Sequence, residues 1–197
     1  MQEVTLDELK TIITNSKDGL YEKAQSVGRE PMIYLHWSAM HYTQTFSDYH
    51  INITGDGKIW VSTDDLSEVL AHTWKKNTGA IGVALCCAYN ATTNDLGDEP
   101  PTSAQIESIS QVVAWLCKLL DIPCDNQHVM THGEIANITS PAYAAWNDET
   151  GDGDVRWDLE YLGTNESPKY NPYATDGSRG GDVLRGKVNF YLNLIVG

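Results

Sequence analysis

Apolar residues return at helical spacing near both ends of the chain and at strand spacing in between. From Leu6 to Ala24 the positions Leu6, Leu9, Ile12, Ile13, Leu20 and Ala24 recur every three to four residues or multiples of that, with Thr5 ahead of them as an N-cap. This predicts a packed N-terminal helix. After Pro31, MIYLHWS from Met32 to Ser38 is a short apolar strand that delivers His36 near its C-terminal end. YHINITGDGKIWVS then alternates: Tyr49, Ile51 and Ile53 are expected on one face, Gly55-Asp56-Gly57 turns the chain, and Ile59 and Val61 resume it, which predicts a hairpin. The run GAIGVALCCA from Gly79 to Ala88 is nearly all apolar, as a strand covered on both faces must be, and belongs in mid-sheet.

In the second half, Thr102 and Gln105 form a capping box before a helix whose inner side carries Ile106, Ile109, Val112, Val113, Leu116, Leu119 and Leu120. Pro123 marks its end. HVMTH is a further short strand ending in His132, and the segment from Asp182 to Val196 is a final helix packed on the sheet. Between them, most of Asn147 to Asp154 and Gly163 to Gly181 is rich in Gly, Asp, Asn and Tyr and reads as loop. The acidic run NDETGDGD fails the spacing of a calcium loop, since no glutamate stands twelfth from Asp148. The pattern predicts a single domain, with residues 1–30 as a helical segment packed on residues 31–197.

Composition narrows the function classes. The chain is 41% hydrophobic and 20% charged, and no apolar run approaches the roughly 18 residues that a membrane span requires. Its first residues place acids ahead of the first lysine with no long apolar core, so no secretory signal is expected, nor any membrane insertion. A net charge of −14 with no basic patch disfavours nucleic acid as a partner and serves mainly solubility. Cys86, Cys87, Cys117 and Cys124 lack paired CxxC spacing; buried free thiols are expected, with a Cys117–Cys124 bridge as the alternative.

Two of the six histidines, His36 and His132, share a position at the end of a short apolar strand, where a sheet presents side chains toward a cleft. A catalytic zinc takes three protein ligands and keeps a fourth position for water, so these two imidazoles need one more donor. Spacing alone does not choose it.

The segments IYLHWSA, DYHINITGDGKIW, AHTWKKNTGAIGVAL, PTSAQ, VMTHGEIA and RWDLEYL occur in the order found in the type-2 N-acetylmuramoyl-L-alanine amidases, which the chain resembles from about Met32 to Leu162. That family includes phage amidase endolysins and is related to the animal peptidoglycan recognition proteins. The resemblance implies an α/β fold, with a mixed central β-sheet of about five or six strands and helices on both faces. It implies one Zn2+ held by His36, His132 and Asp158, with Glu134, Asp148, Asp152 and Asp154 as competing donors. Two neutral imidazoles and one carboxylate leave the centre a net positive charge, which lowers the pKa of bound water toward ~7.

By the same resemblance, Tyr49 donates to the developing oxyanion or orients the water, and Arg156, two residues before Asp158, stabilises charge at the reacting centre without acting as an acid. His72, Trp74 and Asn77 are expected along the substrate groove, with Trp37 as either core or groove wall. Ala84 stands in the buried strand where many bacterial relatives carry a glutamate general base. His50 is expected to point away from Tyr49, and His41 and His128 read as ordinary loop residues.

The function implied is hydrolysis of the amide between N-acetylmuramic acid and L-alanine in peptidoglycan, by a monomer. Without a signal peptide, it would act on the cell wall after holin-type release or as part of a virion tail, or serve as a cytoplasmic recycling enzyme. The alternatives are a non-catalytic muropeptide-binding module, and a peptidase or ester hydrolase using the same metal.

Overall fold

Six strands align because their apolar runs are short and most are buried on both faces. The computed structural model describes residues 1–136 and 157–196. The strands are β1 (Gln2–Val4), β2 (Met32–Trp37), β3 (Ile51–Ile53), β4 (Ile59–Val61), β5 (Ala80–Leu85) and β6 (Val129–Thr131). They form one sheet in the order β1-β4-β3-β5-β2-β6. β2 is parallel to both β5 and β6, and β3 is parallel to β5, whereas β4 runs antiparallel to β3 and to β1. The sheet is therefore mixed, as expected. β1, too short to show a period, was not foreseen.

Four helices complete the described chain: α1 (Leu6–Ser26), α2 (Ser103–Leu120), α3 (His132–Ala136) and α4 (Gly180–Val196). Both foreseen caps form. Thr5 and Glu8 close a capping box on α1, and Thr102 and Gln105 close one on α2. Gln105, fully buried, also donates from its amide to the carbonyls of Ile53 at 2.9 Å and Cys86 at 2.8 Å, tying the head of α2 to the ends of β3 and β5. All four cysteines are free thiols. No described helix is long and apolar enough to cross a membrane.

The pleat divides the sheet into two unlike faces, since successive residues of a strand point to opposite sides. Ile33, Leu35 and Trp37 of β2, with Val83 and Leu85 of β5, pack with apolar residues of α1, α2 and α4 into the main core. Met32 and Tyr34 face the other way, into a small cluster with Ala80, Met130 and Ile135 of α3. By alternation His36 belongs to this second face, and so do Ala84 and Asn52, which lie in register with it across the sheet.

This division corrects the assignment of Trp37. One residue after His36, it is 4% exposed and buried in the main core, on the face opposite His36. It lines no groove. The start of β3 also differs from expectation. Ile51 and Ile53 join the main core, but Tyr49 precedes the regular strand in a bend, so it is not bound to their face and lies beside His36.

Candidate metal centre

Three elements distant in the chain bring the candidate ligands together. His36 comes from β2, His132 is the first residue of α3 immediately after β6, and Asp158 stands in the turn that begins at Trp157. The Nδ1 atoms of His36 and His132 are 3.1 Å apart, and Asp158 Oδ2 lies 3.3 Å from His132 Nδ1 and 3.7 Å from His36 Nδ1. A tetrahedral zinc with bonds of about 2.0–2.1 Å separates its donor atoms by about 3.3 Å. The three distances bracket that edge, so the donor set fits zinc in both chemistry and spacing. Among the described residues these three form the one group of His, Cys, Asp or Glu close enough to share an ion.

Electrostatics favour the ionised carboxylate. Burial alone would raise the Asp158 carboxyl, but the adjacent imidazoles of His132 and His36 outweigh it and hold the group well below the usual carboxylate range.

Two buried ion pairs hold His132 and Asp158 in place. Glu134 accepts from the Thr131 backbone N–H at 2.9 Å and pairs with Arg185 of α4 through both carboxylate oxygens at 2.8 Å. Arg185 also donates to the Val129 carbonyl at 3.0 Å. Glu134, a competing donor on sequence grounds, is thus committed to fastening α3 and β6 to α4. Arg179 donates to Glu160 at 2.7 and 3.1 Å, and the Gly180 N–H donates to the Glu160 carbonyl at 2.8 Å, fixing the turn that carries Asp158.

Within that turn Leu159 adopts a left-handed φ of 57°, uncommon for a non-glycine residue and tolerated where surrounding contacts impose it. Gly133 lets the two ligand segments approach, because a Cβ there would stand 2.4 Å from Glu160 Oε1.

Around His36 the picture changes most. His72 is only 6% exposed and lies against the sheet, where the absent side chain of Gly82 makes room: a Cβ there would meet the His72 ring at 2.6 Å. Its Nδ1 is 3.3 Å from His36 Nε2 and 3.1 Å from Thr73 Oγ1. Burial, and after it the neighbouring imidazoles of His36 and His50, push His72 well below its ordinary pKa. This position behind the centre differs from the expected groove lining.

Asn77 accepts the Thr73 backbone N–H at 2.7 Å and braces the same loop, while Trp74 is 52% exposed with Lys75 over its ring. Tyr49 stands on another side of His36, with ring centroids 5.1 Å apart. Its bend is fastened by buried Asn52, which accepts from the Phe46 N–H at 2.9 Å and donates to the Phe46 carbonyl at 3.0 Å.

Other expectations resolve by contact. Ala84 pairs with His36 in the ladder, so the methyl group faces the centre where a glutamate would have reached it. His50 is buried, and both of its ring nitrogens are engaged, by the Gly82 N–H at 3.0 Å and the Glu68 carbonyl at 2.8 Å. It lies near His72, with rings 5.4 Å apart, and is not part of the group that could hold an ion. His41 pairs with Glu99, and His128 pairs with Asp125 and Glu30. Arg156, Asp148, Asp152 and Asp154 lie outside the described residues. Sequence reasoning missed Thr73, Arg179 and Arg185. Only Thr73 carried a signal, its adjacency to His72.

No curated protein matches the chain. Among solved structures it is similar to the endolysin N-acetylmuramoyl-L-alanine amidase LysCS from Clostridium intestinale, at 19% identity over 57% of this chain and 74% of that one, with a TM-score of 0.41. It is also similar to the Ph2119 endolysin from a Thermus scotoductus bacteriophage, at 15% identity over 58% and 79%, TM-score 0.43. For Drosophila PGRP-LB the values are 17% identity over 61% and 81%, TM-score 0.40. The family model described as N-acetylmuramoyl-L-alanine amidase matches residues 19–148, a span that includes His36 and His132 and stops short of Asp158. With that match over more than half its length, the chain belongs to the N-acetylmuramoyl-L-alanine amidase family.

Proposed function

We propose that the chain is a zinc-dependent hydrolase of the amide joining N-acetylmuramic acid to L-alanine in bacterial peptidoglycan. The observation that carries this reading is the convergence of His36, His132 and Asp158, whose facing donor atoms are separated by 3.1–3.7 Å. When bound there, zinc supplies Lewis-acid polarisation and brings the pKa of water toward ~7. Asp158, held ionised by its neighbours, contributes the single negative charge among the three ligands.

The remaining work falls to this chain's own side chains. Tyr49, beside His36, is placed for its phenol to donate a hydrogen bond to the oxygen that gains charge as the amide carbonyl becomes tetrahedral. Arg156 is assigned the same electrostatic task from its place two residues before Asp158. Exposed Trp74, at the rim beside the His72–Thr73 loop, offers an aromatic surface to the glycan or stem peptide. Cleavage of the C–N bond leaves the lactyl group as a carboxylate and the stem peptide with a free L-alanine amine. We assign the protein to cell-wall lysis of the phage type, acting as a monomer.

Ala84 favours a second reading. With only a methyl group beside His36, β5 contributes no general base, and a domain of this shape could bind muropeptides without cutting them. Zinc analysis, with mass spectrometry of peptidoglycan incubated with the purified protein, separates the two. Hydrolysis predicts one zinc per chain and released stem peptides beginning with L-alanine, both lost in His36→Ala and Asp158→Ala. Full activity in a metal-free variant would sink the zinc mechanism, and binding without release would establish the muropeptide module.

A further inference from the structure

We infer that His72, together with Thr73, is the hydrogen-bond acceptor that fixes the His36 imidazole for metal binding through Nδ1. The inference rests on the zinc reading above and makes His72 a positioning residue rather than part of the substrate groove. His36 turns Nδ1 toward His132 and Asp158, at 3.1 and 3.7 Å. A neutral imidazole that gives the Nδ1 lone pair to a metal carries its proton on Nε2. His36 is fully buried, and a buried N–H without an acceptor costs about 1–3 kcal/mol.

Two acceptors stand within reach of that proton. His72 Nδ1 is 3.3 Å from His36 Nε2 and Thr73 Oγ1 is 3.4 Å from it, while the two acceptors are 3.1 Å from each other. Either the His36 N–H donates directly to His72 Nδ1, or it donates to the Thr73 hydroxyl, which passes its own proton's hydrogen bond on to His72 Nδ1. Both arrangements end on the same lone pair. In both, His72 carries its proton on Nε2, a buried atom with no hydrogen-bond partner among the described residues, a cost that the bond to the His36 ring offsets.

The surroundings are built for this acceptor. Gly82 leaves the space in which the His72 ring lies, and Asn77 accepts the Thr73 N–H to hold the loop. His50 cannot take over, because the Gly82 N–H occupies its Nδ1 and its Nε2 donates to the Glu68 carbonyl. A groove-lining histidine would need to meet solvent, and this one is 6% exposed. Partners that orient a metal-binding histidine typically account for a 10–100-fold difference in metal affinity.

The test measures zinc affinity by chelator competition on the full chain, with circular dichroism and thermal unfolding of the metal-free proteins as controls. His72→Phe keeps a ring over Gly82 and removes the lone pair; its zinc affinity should fall roughly 10–100-fold while the metal-free fold is retained. His72→Asn places an amide oxygen near the former Nδ1 and should recover most of that loss, as should the visible spectrum of the cobalt-substituted protein. Equal affinity in wild type and His72→Phe would overturn the inference alone, and so would an Asn variant as weak as the Phe variant. A wild-type chain that takes up no zinc would overturn the metal centre itself and this inference with it.

Discussion

In the proposed centre Asp158 would act through its charge. Replacing it with asparagine keeps the shape of the side chain but leaves two neutral imidazoles and a weak amide donor at the centre. Asp158→Asn should lower zinc affinity by roughly a hundredfold or more, measured by chelator competition, with little change in the metal-free fold. His128 shows the same physics away from the centre. Burial lowers its pKa, but hydrogen bonds and charges from Asp125 and Glu30 outweigh that and raise it above its ordinary 6.5. A raised folded-state value means that the protonated form stabilises the fold, fully below about pH 6.5 and progressively less as pH climbs through the folded value. The thermal-midpoint advantage of wild type over His128→Gln should therefore be largest near pH 5.5 and shrink by about pH 8.5. A constant difference across that range would remove the two ion pairs from the account.

Single residues were legible where their type is scarce. His36 and His132 stand out because both come at the end of a short apolar run, and Tyr49 was found through a family motif. The depth of His72 was not readable, since the same AHTW segment could face a groove or the sheet, and Gly82, ten residues later, is what admits the ring.

Elements turn these residues into a site. α4 holds no candidate ligand, yet Arg179 just before it and Arg185 within it fasten the turn carrying Asp158 and the helix carrying His132. Arg185 and Glu134 expose only 8% and 11% of their side chains, so removing one strands a buried charge. Arg185→Ala should cost about 3–5 kcal/mol in urea denaturation. A loss below about 1 kcal/mol would mean that solvent already screens the pair. Gly133→Ala forces a methyl group toward Glu160 and should destabilise by about 1–3 kcal/mol, with weaker zinc binding because the turn must shift relative to His132. The periodic helices and the hairpin were visible in the pattern of apolar residues. β1, α3 and the bend at Tyr49 were not, because none of them carries an apolar alternation or turn signal of its own and each is set by what it packs against.

For the whole molecule, the two faces of the sheet have separate duties. One carries the helix-packed core, and the other carries His36, with Ala84 beside it in the ladder and the His72 ring over Gly82. An ion shared by His36, His132 and Asp158 joins β2, α3 and the Asp158 turn, so it should bind the folded chain far better than the unfolded one. Zinc in hundredfold excess over its dissociation constant should stabilise wild type by about 2.7 kcal/mol, seen as a rise in thermal midpoint that a chelator reverses and Asp158→Ala lacks. No shift in wild type would contradict a shared ion.

The order of apolar and polar residues by itself determined the long helices, their caps, the hairpin and the central strands, because those depend on local period and on the chemistry of the first turn. It also determined which two histidines to suspect. Only the tertiary structure decided that Glu134 is an ion-pair partner, that Trp37 is core and that His72 lies behind His36. Such outcomes depend on which segments meet across the sheet, and a contact between residues far apart in the chain leaves no local trace in the sequence.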